Sequence, residues 1–443
     1  MVPAATSAAV SSAPPPVPTA ALTERYLLGN YGRFDLAPAR AEGTRLWDEA
    51  GREYLDFSGG VAVTSLGHCP AAMQRALADQ AARLIHCSNL FHIREQGLLG
   101  RFLTEEVMRR PGRNFFCNSG TEANEALIKL ARRYGSLTPC PDGRPRQRIL
   151  TFTNSFHGRT LGAMSATAQV KIRDGFGDLL PGFDYLPFND SDALRAAVTD
   201  DTVAILLEPV QGEGGVNVAS AAFLATCAEL RRSHRLLLLF DEVQCGLGRV
   251  GQWCGWRALE GGDAIEPDAV SWAKGIAGGF PVGAVWISDG QVGIDSGSAA
   301  LSSVLGPGSH GSTYGGSPLA CAVALAVLEA VRDQGLLPRV GALGDHIRGR
   351  LREQPVPGIR GVRGLGLMLG FELDEPRLRA LPGLDDPAKP LSGQVVKRLM
   401  AAGLLTAPAG PSVVRFLPPL NVTDDEVEQA LARLDQVMRE VTG

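Results

Sequence analysis

A chain of 443 residues with 43 Lys and Arg against 47 Asp and Glu has a formal net charge of -4, and no dense basic stripe overrules that balance, so the sequence offers no electrostatic footprint for nucleic acid. With 45% hydrophobic and 20% charged residues and 53 glycines, it has the composition of a globular protein rich in tight turns, and no stretch is apolar for long enough to span a membrane. The cysteines, Cys69, Cys87, Cys117, Cys140, Cys227, Cys245, Cys254 and Cys321, form no C-x-x-C pair and no Cys/His group of metal-ligand spacing, which fits a reduced cytoplasm and points to no metal site.

In chain order, MVPAATSAAVSSAPPPVPTA has neither the basic start nor the apolar centre of a signal peptide, and its Ala, Pro and Ser content predicts a flexible arm over 1–22. Residues 23–75 are expected to contribute to a small domain, with two short strands in TRLWDEAGREYLDFSGG joined by a turn at Ala50 and Gly51. Helical spacing in AAMQRALADQAARL and REQGLLGRFLTEEVMRR gives way to helices alternating with the short apolar runs NFFCNS, RILTFT, VAILLEPV, RLLLLFDEV, DAVSWAKG and GAVWISD. Such runs suit strands covered on both faces, so residues 76–325 predict a large α/β domain with a mainly parallel sheet sandwiched by helices. Residues 326–443, with the candidate strand VVRFLPPL and a last helix starting near TDDEVEQALARL, predict the remainder of a small α+β domain. Asp424 and Asp425 suit the positive end of that helix.

Three stretches carry chemistry. In CNSGTEANEALIKLARRYG a strand runs through a tight turn into a helix; Ser119 and Glu122 have capping-box spacing, and the same helix start could hold a phosphate. In RLLLLFDEVQCGLGRVG, Asp241 and Glu242 stand at the carboxyl end of the most hydrophobic strand, where open α/β sheets bind ligands. Gly246, Gly248 and Gly251 match a dinucleotide fingerprint in form, but the intervening DEVQ keeps them from following the strand directly, which argues against NAD. The third stretch, VSWAKGIAGGFPVG, sets Lys274 in a bed of small and apolar residues, where a charged amine is costly unless paired or neutralised. An amine for a Schiff base, a carboxylate for a pyridinium nitrogen and an anion cradle together suit pyridoxal phosphate.

From about Tyr31 to the C-terminus the chain resembles the class III, fold-type I pyridoxal-phosphate aminotransferases, and within them the acetylornithine aminotransferase group. The resemblance lies in LDFSGGVAVTSLGH, NSGTEANEALIKLAR, SFHGRTLGAMSATAQ, LEPVQGEGGV, LLLFDEVQCGLGR, WAKGIAGGFPVGA, GSHGSTYGGSPLACAVA and VRGLGLMLGFEL, in family order. It implies that Lys274 forms the Schiff base with pyridoxal 5'-phosphate and shuttles the proton. Asp241 would pair with the pyridinium nitrogen, Glu242 beside it would join the cofactor-binding set, Val243 would pack behind the ring and Gln244 would bond its phenolic oxygen. Phe156 would stack on the opposite face, and Gly120 and Thr121 would hold the phosphate, with Ser119 supporting the turn.

The resemblance also implies a homodimer with shared active sites, since Thr313 would reach the phosphate of the neighbouring subunit with Ser312 near the substrate. Arg415 would bind an α-carboxylate, Arg159 a second carboxylate, and Glu213 would pair with Arg415 when the substrate presents an amine at its far end. The implied reaction is transfer of the terminal amine of N2-acetyl-L-ornithine to 2-oxoglutarate, a step of arginine biosynthesis. The motif GHCPA at Gly67 to Ala71, a longer segment before Ser309 and the stretch ELDEPRLRALPGLDDPAKPLSG depart from the family pattern. A related donor (ornithine, succinylornithine, 4-aminobutyrate or another ω-amine) therefore stays open, as does a racemase, decarboxylase or aminomutase with the same cofactor.

Overall fold

The computed structural model describes residues 18–294 and 297–443. Most of the arm expected over 1–22 falls on residues 1–17, outside the described residues, while Thr19–Tyr26 form a helix. At the centre is a seven-stranded sheet of Gly112–Cys117 (β1), Arg148–Phe152 (β2), Phe183–Leu186 (β3), Thr202–Leu207 (β4), Leu237–Asp241 (β5), Ala269–Trp272 (β6) and Gly283–Ser288 (β7). Their spatial order is β1-β7-β6-β5-β4-β2-β3. Strand β7 alone runs against its neighbours; the pairs from β6 to β3 are parallel.

The continuous apolar runs follow from burial on both faces. Along β5, Leu237 and Leu239 pack with the helix Gly120–Leu137 (α1), while Leu238 and Phe240 pack with the helices Ala221–His234 (α2) and Pro318–Asp333 (α3). Edge strand β3 has no such run, because all four of its residues are only half-buried. The segment before Ser309 is not a bare loop: Gln291–Ile294 pairs with Gly297–Ala300 as a hairpin, and Leu301 and Val304 behind it are buried in the cluster that α1 forms.

The N- and C-terminal parts meet in the smaller sheets. Residues Arg45–Asp48 and Glu53–Asp56 pair as the expected hairpin, and Leu404 and Leu405 add to it in parallel beside Leu55 and Asp56. Ile359–Leu365, Met368–Leu373, Val413–Phe416 and Ala407–Ala409 make a four-stranded antiparallel sheet. The last helix, Asp424–Thr442 (α4), starts with a full capping box between Thr423 and Glu426, besides the acidic first turn read from the sequence. Among the described residues no helix is long and apolar enough to cross a membrane.

Strand parity decides the fate of two neighbouring acids. Successive side chains point to opposite faces, so Asp241 shares the face of Leu239 while Glu242 turns to the other. Glu242, expected in the cofactor-binding set, does not line the cavity that Asp241, Val243 and Gln244 line. Its Oε1 accepts from the Trp256 amide at 3.1 Å, and its Oε2 is buried with no partner among the described residues. Burial pushes its carboxyl up from 4.5 to about 8, so it is a neutral acid in the fold at neutral pH.

That burial has a pH signature. Between 4.5 and about 8 the unfolded chain ionises this acid and the fold does not, so unfolding releases a proton and stability falls as pH rises, by about 1.4 kcal/mol per unit. The neutral Glu242→Gln variant is expected to lose this slope. Urea midpoints of both proteins across that window test it, and a parent slope no steeper than the variant's would refute a neutral Glu242.

Candidate active site

A cavity of about 350 Å³ opens at the carboxyl ends of β5 and β6, bounded by the start of α1 and by the turns that follow β2 and β4. Lys274 enters it two residues after β6 ends, on a backbone with φ of 45°, a left-handed conformation costly for a side-chain-bearing residue and concentrated at functional sites. Burial and the nearby Arg415 depress its amine, Glu213 and Asp241 pull the other way, and the net effect is a pKa below that of an ordinary lysine. A lowered pKa favours the neutral, nucleophilic amine.

Across the cavity stands Asp241. Its Oδ2 accepts from Asn124 Nδ2 at 2.7 Å and lies 2.8 Å from His157 Nδ1, and its Oδ1 accepts from the Val243 amide at 3.0 Å. Ser271 donates to Asn124 Oδ1 at 2.7 Å, and Asn124 also donates to the His157 carbonyl. Burial pulls the His157 pKa down, but the hydrogen bond and charge of Asp241 more than offset this and raise it. The contact thus favours the protonated form of His157. Glu208, close by, is pushed up to about 7 by burial; its carboxylate accepts from the amides of Phe156 at 3.0 Å and Gly212 at 3.2 Å, tying together two cavity walls.

The third part is the start of α1. Ser119 caps the helix, accepting from the Glu122 amide at 3.3 Å and donating to Glu122 Oε2 at 2.9 Å. Its hydroxyl is thus engaged as a cap. The amides of Gly120 and Thr121, which also line the cavity, have no acceptor among the described residues, and orphan donors at a positive helix end make an anion site. Gly120 is required by packing, since a Cβ there would sit 2.8 Å from Val243 Cγ1.

The remaining expected residues divide. Phe156, Val243, Gln244, Glu213 and Arg159 line the cavity, with the exposed Arg159 guanidinium 5.6 Å from the Phe156 ring centre. Arg415, on the antiparallel sheet and only 1% exposed, donates to Glu213 at 2.9 Å and to Gln244 Oε1 at 2.6 Å. Gln244 is therefore turned toward that arginine. Ser312 does not line the cavity, but its hydroxyl accepts from Asn118, which does, at 3.3 Å. Thr313 is exposed and outside the cavity of its own chain. Of the GHCPA turn, His68 pairs with Asp56 at 2.9 Å, and the turn borders a separate surface hollow.

Sequence reasoning missed Asn124, His157 and Glu208. Asn124 had a signal, as a polar residue on the face of α1 that carries Ala123, Leu127 and Leu130 and so needs a buried partner.

Residues 29–438 match the family model of aminotransferase class III. The chain is 41% identical over 420 residues to an acetylornithine aminotransferase of Caldanaerobacter subterraneus subsp. tengcongensis, covering 94% of this chain and 98% of the relative. It is 42% identical to one of Synechocystis, covering 94% and 92%. Among solved structures, ornithine aminotransferase from Toxoplasma gondii superposes with a TM-score of 0.83 at 34% identity over 95% of this chain and 94% of that one. N-acetylornithine aminotransferase from Stenotrophomonas maltophilia gives 0.73 at 34% identity over 95% and 98%. The match along nearly the whole chain, with the lysine, the aspartate and the anion site in one cavity, means that the chain belongs to the class III aminotransferases.

Proposed function

We propose that this protein uses pyridoxal 5'-phosphate to move the terminal amine of N2-acetyl-L-ornithine to 2-oxoglutarate, yielding N-acetylglutamate 5-semialdehyde and L-glutamate. The observation that carries the reading is the buried Lys274 amine, with its lowered pKa, facing Asp241 in a cavity whose far wall offers the two unpartnered amides. The donor comes from the acetylornithine aminotransferases at 41% and 42% identity.

The cofactor fits these residues: orphan amides suit its phosphate, Asp241 its ring nitrogen, Val243 and Phe156 its two faces, and Lys274 its aldehyde. When bound, it supplies an electron sink for the carbanion left by proton removal. With the cofactor held here, Lys274 would take the proton from the substrate carbon and pass it to the cofactor. His157 and Asn124 fix the orientation of the Asp241 carboxyl. The Glu213–Arg415 ion pair leaves a substrate amine to enter beside a neutralised arginine; when glutamate or 2-oxoglutarate enters, Glu213 moves off and Arg415 takes the α-carboxylate as a fork. Arg159 takes the carboxylate at the other end of either substrate.

Each site is completed in this reading by a second copy of the chain. Thr313 is displayed outward, and the exposed apolar residues Leu84, Ile85, Leu90, Phe91 and Tyr314 gather near it: Asn89 donates to the Ser312 and Gly315 carbonyls, and His86 stacks on Tyr314. All eight cysteines are free thiols, which supports a cytoplasmic setting.

Two outcomes are expected. The purified, cofactor-loaded protein shows visible absorption that N-acetylornithine bleaches and 2-oxoglutarate restores; a band unmoved by acetylornithine but bleached by another ω-amine would replace the donor, and a Lys274→Ala protein should lose turnover by a factor of ~10³ or more. Second, Glu213→Gln leaves Arg415 without its carboxylate, so kcat/KM for N-acetylornithine should fall about tenfold relative to that for glutamate. Equal effects on both substrates would count against Glu213 as the switch.

A further inference from the structure

We propose that Glu125, which lies outside the cavity, is a positioning residue for Arg159 and acts through a directed chain of hydroxyls. Thr121 and Glu125 are one turn apart on α1, and both face the loop that carries Arg159. The Glu125 carboxylate accepts from the Thr160 hydroxyl and, at 3.0 Å, from the Ala163 amide. An ionised carboxylate only accepts, so the Thr160 hydroxyl must spend its proton there. It then faces the Thr121 hydroxyl, 3.0 Å away, with a lone pair. Thr121 therefore donates to Thr160, and its own lone pairs are turned to the amides of Arg159 at 3.0 Å and Thr160 at 3.2 Å.

The order Thr121 to Thr160 to Glu125 has one consistent polarity, and it is the carboxylate that sets it. Two glycines bring the loop this close to the helix. Gly158 has φ of 143°, and a Cβ there would collide with Thr121; one on Gly162 would lie 2.5 Å from Glu125 Oε2. The Arg159 side chain therefore rises from a backbone fixed at its own amide, while the amides of Gly120 and Thr121 stay free for an anion. Without Glu125 the Thr160 proton can turn back toward Thr121, both hydroxyls lose their fixed sense, and the Arg159 amide loses its acceptor.

The inference rests on Arg159 anchoring a substrate carboxylate. Calorimetric titration of the cofactor-loaded protein with glutarate, a non-reacting dicarboxylate, tests it together with steady-state kinetics. Thr160→Val and Glu125→Met are expected to weaken glutarate binding and raise KM for 2-oxoglutarate about tenfold, with kcat and the urea midpoint retained, and Thr160→Ser to restore parent values. Should Glu125→Met fail to fold, the Thr160→Val and Thr160→Ser pair decides. Arg159→Met separates the two ideas: if it weakens glutarate and Thr160→Val does not, the positioning role is overturned and the carboxylate reading stands. If Arg159→Met leaves glutarate binding unchanged, the carboxylate reading itself falls, and the positioning role with it. A Thr160→Val protein that loses stability or kcat at unchanged KM would make the chain merely structural.

Discussion

The structure turns on supplying hydrogen-bond partners to one acid at the end of the most apolar strand in the protein. Asp241 is 3% exposed, and a polar group buried in such surroundings is costly unless it is hydrogen-bonded. Asn124, His157 and the Val243 amide supply donors to both of its oxygens. Each donor comes from a different element, so the position of α1 and of the turn after β2 is set by the need to reach this one group. Glu242, one residue on, points to the other face, and burial there drives its carboxyl up to about 8.

The contrast explains how a single sheet serves chemistry and packing at once. On the α1 side the strand ends feed the cavity, and the buried Asp241 there is met by a donor from α1. On the α2 and α3 side the same strands continue an apolar core that includes Trp256, Trp272 and Trp286, each 1% exposed or less. Arg415 stands on the antiparallel sheet across from Gly370 and Ala407, behind the cavity wall. Its contacts to Glu213 and Gln244 therefore join the smaller sheet to the wall of the larger one.

What the sequence made legible was whatever burial forces into composition. Strands covered on both faces are apolar runs, and a lysine among small residues stands out, so β4, β5, β6 and Lys274 could be read directly. Strand β3 could not, because at the edge of the sheet its Phe-Asp-Tyr-Leu sequence mixes polarity without a clean period. The hairpin of Gln291–Ile294 and Gly297–Ala300 is rich in small residues and reads as loop. Glu242 was assigned by proximity to Asp241, where the two-residue period of a strand sends it the other way. His157 was visible as a letter, but its contact with Asp241 spans 84 positions, and no local pattern carries a pairing of that reach.

The polar groups around the cavity differ in what fixes them. Ser119 is committed to the helix cap and Thr121 to the loop of Arg159, so side-chain hydroxyls at the anion site are spent on shape and the backbone is left to bind. Backbone amides at a helix start have no rotamers to order, so binding an anion there costs little conformational entropy. The two arginines differ in the same respect: Arg415 is held by the Glu213 and Gln244 side chains, whereas Arg159 is fixed through its backbone amide and leaves its side chain exposed.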